Sequence, residues 1–494
     1  MNESERGSAV LAEAWAAIDA GDIPRALKSV SRAYERIGRW CQGGQRLPIG
    51  WPEADRLIAA AADIVRPSAD AVPAPAKDGG NDAVVLSHWS EYGGHRFVAS
   101  DLLRASPARR KHAFVFDFRG LAPSAEEIAA MLGIPDDCVE IAPREVLETP
   151  WEWFPARAGA LGCSRLFVFH ETFHPGALVA VLASGLARAY VVHHTDGKPC
   201  SGLHLPGVRV VEVTPFCYHY SRRNLGIDPL YLPLVSDPPT GDRPPFMVGG
   251  QLRTATCGRE MKFAVRRGFP YASVIAERLR RFGGSHLHIG GLSERARALI
   301  DGALRDAHVD KERFEHLSHV ESLPIALWAN RIDLYIGSFP AGGARTTVDV
   351  MASATPAVGH SRTGRERYSN SSLRAPGTEH WSTPEELWSI LGSVNSAWLT
   401  ERSRLARAHF DRHHRRELLA EALARPDFVG LEPPPIPADA RIPSPQDVLC
   451  QIIADVTWLR HREKELSKRL AALEGAITPP RKRSRFPWLR WFKR

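Results

Sequence analysis

The sequence predicts an α/β protein of two doubly wound, Rossmann-like domains facing a cleft, with a helical appendage before them and a helix or coiled coil after them. Three observations carry that expectation. From residue 83 onward, short apolar runs alternate with stretches of helical periodicity. The runs are continuous rather than alternating in polarity, as in strands of a parallel sheet covered on both faces. A single proline-rich stretch, "PLVSDPPTGDRPP" at 233–245, interrupts the series before it resumes, and 494 residues are enough for two or three cores.

The elements follow in order. Between Ala9 and Ile37 apolar residues recur at helical spacing: Leu11, Trp15 and Ile18, then Leu27, Val30, Tyr34 and Ile37. Gly21 suits the end of one helix, and Asp22 with Pro24 the start of the next. The pair resembles one tetratricopeptide unit, but a lone unit cannot bury both its faces, so residues 1–65 are expected to be a helical appendage packed on the body. "RPSADAVPAPAKDGGND" at 66–82 reads as a linker. Strands are expected at 83–87, 112–118, 165–170, 189–194 and 208–213, giving a first domain over 83–232. After the 233–245 linker come runs at 286–290, 332–337 and 356–360, giving a second domain over 246–430 that includes its closing helices. From 446 to 478, Leu449, Ile452, Val456, Leu459, Leu466, Leu470, Leu473 and Ile477 follow a 3-4 alternation broken by Glu463. That spacing suits either a coiled coil, through which the chain would self-associate, or one helix lying on the body.

Charge and cysteine usage narrow the class. The net charge of +8 belongs to the end of the chain: "RKRSRFPWLRWFKR" at 481–494 holds seven Lys/Arg and no acid, leaving 57 basic against 56 acidic side chains elsewhere. A nearly neutral body argues against a nucleic-acid partner. Basic residues interleaved with Phe486, Trp488, Leu489, Trp491 and Phe492 suit the anionic face of a membrane, with a disordered solubilising tail or a nucleic-acid contact of the tail as the alternatives. Cys41, Cys138, Cys163, Cys200, Cys217, Cys257 and Cys450 are scattered without a C-x-x-C pair, as expected of reduced thiols in a cytosol. "MNESERGSAV" lacks the basic start and apolar block of a signal peptide. The most apolar segment, "GALVAVLASGLARAYVV", is short and carries Arg188, so no membrane span is expected and the location is read as cytoplasmic, peripheral at the inner membrane face.

The chemistry concentrates at "YIGSFPAGGARTTVDVMASATPAVGH", residues 335–360. A buried strand ends near Ile336 and a helix is expected from about Ala344, which puts Gly342 and Gly343 in the turn between them. Glycines let an anion approach the backbone. The unpaired N–H groups and the dipole at a helix start favour negative charge. Arg345, Thr346 and Thr347 add a charge and two hydroxyls, so the turn suits a diphosphate.

The same stretch, "DLYIGSFPAGGARTTVDVMASATPAV", resembles the donor-binding signature of GT-B glycosyltransferases, nearest in pattern to the O-GlcNAc transferase type and related bacterial enzymes. The resemblance covers about residues 83–400. It implies that Thr346 and Thr347 meet the donor diphosphate and that Asp349 accepts from the donor ribose. "TATCGREMKF" at 254–263 is similar to the family's turn ending in tyrosine-lysine, with Met261 in place of the tyrosine. That similarity implies a diphosphate contact for Lys262 and a polar one for Arg259. Ser353, Ala354 and Gly337 depart from the pattern.

On the acceptor side, "VVLSHWSEYGGHRFVASDLL" at 84–103 is similar to the family's glycine loop, with His95 following Gly93 and Gly94 where related enzymes place a histidine facing the sugar. Two further histidine sites follow strands: His170 and His174 in "FHETFH", and His193, His194 and Asp196 in "VVHHTD". Histidine is the natural proton acceptor near neutral pH, and His95 is placed first, His194 second. The expected protein is therefore a glycosyltransferase moving a sugar from a nucleotide diphosphate sugar, its co-substrate, to a glycan, a lipid-linked glycan or a protein. No metal motif and no cofactor motif is present, and cationic and helix-terminal groups would replace a divalent ion. An epimerase or phosphorylase of the same fold, or an inactive assembly protein, remains the alternative.

Overall fold

The structure, a computed structural model, describes residues 3–42, 50–68, 80–89, 94–170, 174–185, 188–194, 200–264, 269–361, 371–425 and 428–436. The centre of the first linker, the expected helix at 446–478, the basic tail, Gly93 and Asp196 lie outside the described residues.

Two parallel sheets form the body. The first contains β1 (Asn81–Leu86), β2 (Lys111–Val115), β3 (Val139–Ile141), β4 (Cys163–Phe169), β5 (Ala189–His193), β6 (Val208–Glu212) and β7 (Leu230–Tyr231), in the order β3-β2-β1-β4-β5-β6-β7. The second contains β8 (Arg253–Cys257), β9 (Ser285–Ile289), β10 (Phe314–Leu317), β11 (Leu334–Ile336), β12 (Ala357–His360) and β13 (Glu379–Trp381), in the order β10-β9-β8-β11-β12-β13. In both, the first strand sits inside the sheet and the chain winds outward to each side, so each has a switch point where the carboxyl ends of neighbouring strands diverge into a crevice. Continuous apolarity explains the burial of the central strands: Val84, Val85 and Leu86 of β1 are fully enclosed, as are Leu334 and Ile336 of β11.

The N-terminal residues form three helices, α1 (Glu3–Asp19), α2 (Ile23–Gln42) and α3 (Pro52–Val65). Leu11, Ile18, Val30 and Tyr34 share one core with Leu57, Ile58 and Ala61 of α3 and with Leu178 and Val181 of the helix Gly176–Ala183 on the first sheet. Stacking on that helix is what covers the face a lone helical pair would leave bare. No helix among the described residues is long and apolar enough to cross a membrane.

The domain limits differ from the expected ones in two places. Leu234 and Val235, inside the proline-rich stretch, are buried in the first domain's core, so the crossing is packed rather than loose. The closing helix Arg416–Ala424 does not stay with the second domain. Its Leu419, Ala422 and Leu423, with Phe428, enter the core around β1 and the helix α4 (Gly94–Ala105), where its apolar stripe shares a core with Ala99, Leu102 and Leu103 of α4. Val348 and Ala352 of the second domain join that same core, which makes the domain interface apolar as well as charged.

Candidate functional site

The donor-side turn assembles as its residue types require. β11 leads through Gly337 and Ser338 to Gly343, the N-cap of the helix Ala344–Ala352. Thr347 N–H donates to the Gly343 carbonyl at 3.0 Å, and its hydroxyl donates to the same oxygen at 2.9 Å. Arg345 and Thr346 N–H, just before it in the first turn, have no carbonyl within the helix to bond. A β-carbon on Gly343 would lie 2.6 Å from Lys262 Nζ and 3.0 Å from Thr346 Oγ1, so the ammonium and the hydroxyl converge on this glycine. Lys262 arrives from the short turn Glu260–Lys262 after β8. There Gly258, at φ +155°, permits a bend in which an added β-carbon would meet the Lys262 chain at 2.9 Å. Ala341 N–H donates to the Lys262 carbonyl at 3.3 Å, tying the two turns together. Arg259, the N-cap of the Glu260–Lys262 turn, is exposed. A cleft open to solvent runs from Gly342, Gly343 and Thr347 to Arg374 and Arg402.

Two of the expected donor residues point elsewhere than to the diphosphate turn. Arg345 Nε donates to Asp349 Oδ1 at 3.0 Å, and its Nη1 pairs with Asp101 of α4, in the other domain. Ser236 Oγ donates to the same Asp349 oxygen at 2.6 Å. Asp101 also takes Arg416 Nη1 at 2.9 Å, and Arg416 reaches Asp237 at 2.8 Å. An alternating chain of acids and guanidinium groups thus crosses from one domain to the other beside the turn. Burial opposes the Arg345 charge, but the Asp349 and Asp101 carboxylates outweigh it and raise its pKa. Asp101, Ser236, Asp237 and Arg416 had no signal in local spacing, apart from an acid on the otherwise apolar inner face of "FVASDLL".

On the first-domain side, histidines gather at the carboxyl ends of β1, β4 and β5 and the start of α4. The His95 ring lies 4.7 Å from that of His88 and 5.5 Å from that of His194, which is 5.8 Å from Phe169. His95 is 6% exposed, and its Nε2 has no partner among the described residues. Burial first, then the His194 and His88 rings, push its pKa down to about 2. Such a ring is a poor proton acceptor near neutral pH. His194 is only half buried, and its Nδ1 lies 3.2 Å from the Val192 carbonyl. A carbonyl only accepts, so Nδ1 carries the proton and the neutral ring keeps its lone pair on Nε2. The two rings expected to serve as proton acceptors thus differ in exposure and in the partner of Nδ1.

The remaining histidines are held by neighbours. His170 Nε2 pairs with Ser201 Oγ at 2.7 Å, and His174 stacks on Phe118 at 4.8 Å. The loop carrying Ser201 hangs on the appendage: Gly202 and His204 N–H donate to the Asp55 carboxylate at 2.7 and 2.8 Å. His193 is buried beneath, its Nδ1 2.8 Å from Glu212, which also accepts from Ser221 Oγ at 2.5 Å. His193, Glu212 and Cys217 are the one group among the described residues close enough to hold a metal, with ligand atoms within 4.8 Å. Hydrogen bonds already account for both Glu212 oxygens.

Two parallel, doubly wound sheets with a phosphate-type turn at the carboxyl end of the second correspond to one known architecture. The chain has the GT-B fold. The glycosyltransferase from Rickettsia africae matches with a TM-score of 0.50 at 12% identity, over 70% of this chain and 96% of that one. Anabaena HepE, solved in complex with UDP-glucose, also matches with 0.50 at 12% identity, over 70% of this chain and 98% of that one. The O-GlcNAc transferase from Thermobaculum terrenum gives 0.48 at 16% identity, over 84% of this chain and 82% of that one. No family model and no curated protein sequence matches the chain. Within this GT-B frame the glycine turn belongs to the second domain and the histidines to the first. Asp101 and Arg345 join the helices that carry them.

Proposed function

We propose that the protein is a glycosyltransferase that moves a sugar from a nucleotide diphosphate sugar to an acceptor hydroxyl. The observation that carries the reading is the convergence of Lys262 Nζ and Thr346 Oγ1 on Gly343 at the start of a helix, in a GT-B fold. In this reading the donor diphosphate lies against the Gly342–Gly343 turn, Thr346 and Thr347, with Lys262 above it, while Asp349 takes the ribose. The acceptor oxygen bonds to the anomeric carbon as the bond from that carbon to the diphosphate oxygen breaks. The nucleoside diphosphate leaves with the electron pair, and Lys262 and the helix start meet the negative charge that accumulates on it. His194 Nε2 takes the proton of the acceptor hydroxyl.

A thermal-shift series with UDP-, GDP- and CDP-sugars tests the reading, since a ligand that binds only the folded state raises its melting temperature. The proposal expects one nucleotide class to raise it, and to do so less in Lys262→Ala. No shift with any of them would favour the assembly-protein alternative. Donor consumption without sugar transfer would point to an epimerase or a phosphorylase. The sequence of the tail adds a proposed location: seven basic residues with aromatic neighbours at 481–494 would hold the enzyme at an anionic membrane surface.

A further inference from the structure

The Arg345 guanidinium stands between two carboxylates, and one of them is the group to which the donor reading assigns the ribose. Asp349 Oδ1 accepts from both Arg345 Nε and Ser236 Oγ. A carboxylate oxygen offers about two lone-pair directions, so this one is filled before any ribose hydroxyl reaches it. The other edge of the guanidinium goes to Asp101, 8% exposed, on the opposite domain.

We infer that Arg345 is a removable cap on Asp349, and that Asp101 is the positioning residue that draws the cap aside, so that the first domain sets the second domain's affinity for a nucleoside diphosphate. The inference rests on the donor reading of Asp349. For the two ribose hydroxyls to engage both oxygens of that carboxylate, one of them must displace Arg345 or Ser236 from Oδ1. The exchange is tolerable only if the displaced guanidinium keeps a charged partner inside the same enclosed pocket. Asp101 is that partner, and Arg416 holds it from its other oxygen. Asp101 also lies on α4, whose first turn carries His95, so donor arrival and the acceptor side share one rigid helix.

The test is calorimetric titration of the full chain with whichever of UDP, GDP or CDP the thermal series selects, and with its 2′,3′-dideoxy analogue, which offers Asp349 no hydroxyl. Asp101→Asn should weaken the natural nucleotide by about tenfold, because Arg345 then falls back wholly on Asp349. Arg345→Gln should tighten it by about threefold or more, and the double variant should recover most of the loss. The dideoxy analogue should change by less than about twofold across the series. Weakening of both ligands by Arg345→Gln would make Arg345 a phosphate contact and overturn the cap. An unchanged Asp101→Asn, or a double variant no better than the single, would overturn the positioning role. If Asp101→Asn does not fold, the sign of the Arg345→Gln effect on the two ligands decides alone. A wild-type chain that binds no nucleotide overturns the donor reading itself and the cap with it, an outcome distinct from a binding chain whose variants are indifferent.

Discussion

The two sides of the cleft, donor and acceptor in the proposed reading, are built on different principles. The donor side is made of backbone: a glycine N-cap, the first turn of a helix, and one lysine whose ammonium lies within reach of that turn. The acceptor side is made of side chains, histidines from the ends of β1, β4 and β5 and the start of α4, packed together with His88, His95 and His170 buried and His194 partly open. Amide groups keep their partial charge whatever the pH, whereas burial first, and neighbouring rings second, hold His95 and His170 neutral. The donor side is therefore suited to holding a fixed negative charge, and the acceptor side to accepting a proton at the one ring with both access and a fixed tautomer.

That contrast breaks most sharply at His194. His194→Ala should lower transfer by about 10²- to 10⁴-fold while leaving nucleotide affinity unchanged. His95→Ala should cost far less, so steady-state transfer assays on both variants decide between them. Equal losses, or a larger loss at His95, would return the proton to His95.

The donor side should answer in the opposite way. Lys262→Ala and Asp349→Ala are expected to weaken donor binding or turnover by about 30- to 1000-fold, with the melting temperature nearly unchanged in Lys262→Ala and lowered in Asp349→Ala, which takes a buried partner from Arg345 and Ser236. Wild-type kinetics in both variants would mean that the turn holds no donor. A milder probe is Gly343→Ala, whose added methyl pushes the flexible end of Lys262 aside rather than any backbone atom. A several-fold weaker nucleotide affinity, about 1 kcal/mol, with little loss of stability is expected from displacing one charged contact.

The histidine side also predicts how stability depends on pH. His95 and His170 have pKa values pushed down by burial to about 2 and about 3. In the unfolded chain their rings bind protons below about 6.5, while in the folded protein they do not, so the unfolded state gains protons as the pH falls. Stability should be full above about 6.5 and fall below it, by up to about 1.4 kcal/mol per pH unit for each ring. Urea midpoints measured from pH 7.5 to 5.0 should decline less steeply in His170→Asn than in the wild type, the difference isolating one ring from the other buried histidines and from Asp55, whose raised pKa acts in the opposite sense. Equal slopes in the two would show that this ring can charge in place.

The smallest expected effect concerns the tail. Salt-sensitive co-sedimentation with anionic vesicles is expected for the full chain and not for a chain ending at Thr478, with donor affinity equal in both. Equal sedimentation of the two would remove the membrane contact alone.

The sequence by itself determined the features that depend on neighbours along the chain. Eight apolar runs read as strands are strands, because central parallel strands are buried on both faces and need no partner to be recognised. The Gly342–Gly343 turn and the helix after it were legible for the same reason. Strands β3, β10 and β13 lie at or near sheet edges and are only partly buried, and β8 reads "RTATC", so composition did not mark them. Only the tertiary structure decided where charges end up. Arg345 stands one residue before the two threonines, yet the helix turns its side chain toward Asp101, 244 positions away, and toward Asp349 one turn on. It likewise decided that Arg416–Ala424 returns to the first domain and that His95 is closed in by His88 and His194. Burial and ion pairing depend on which groups meet across the fold, and spacing along the chain carries no record of that.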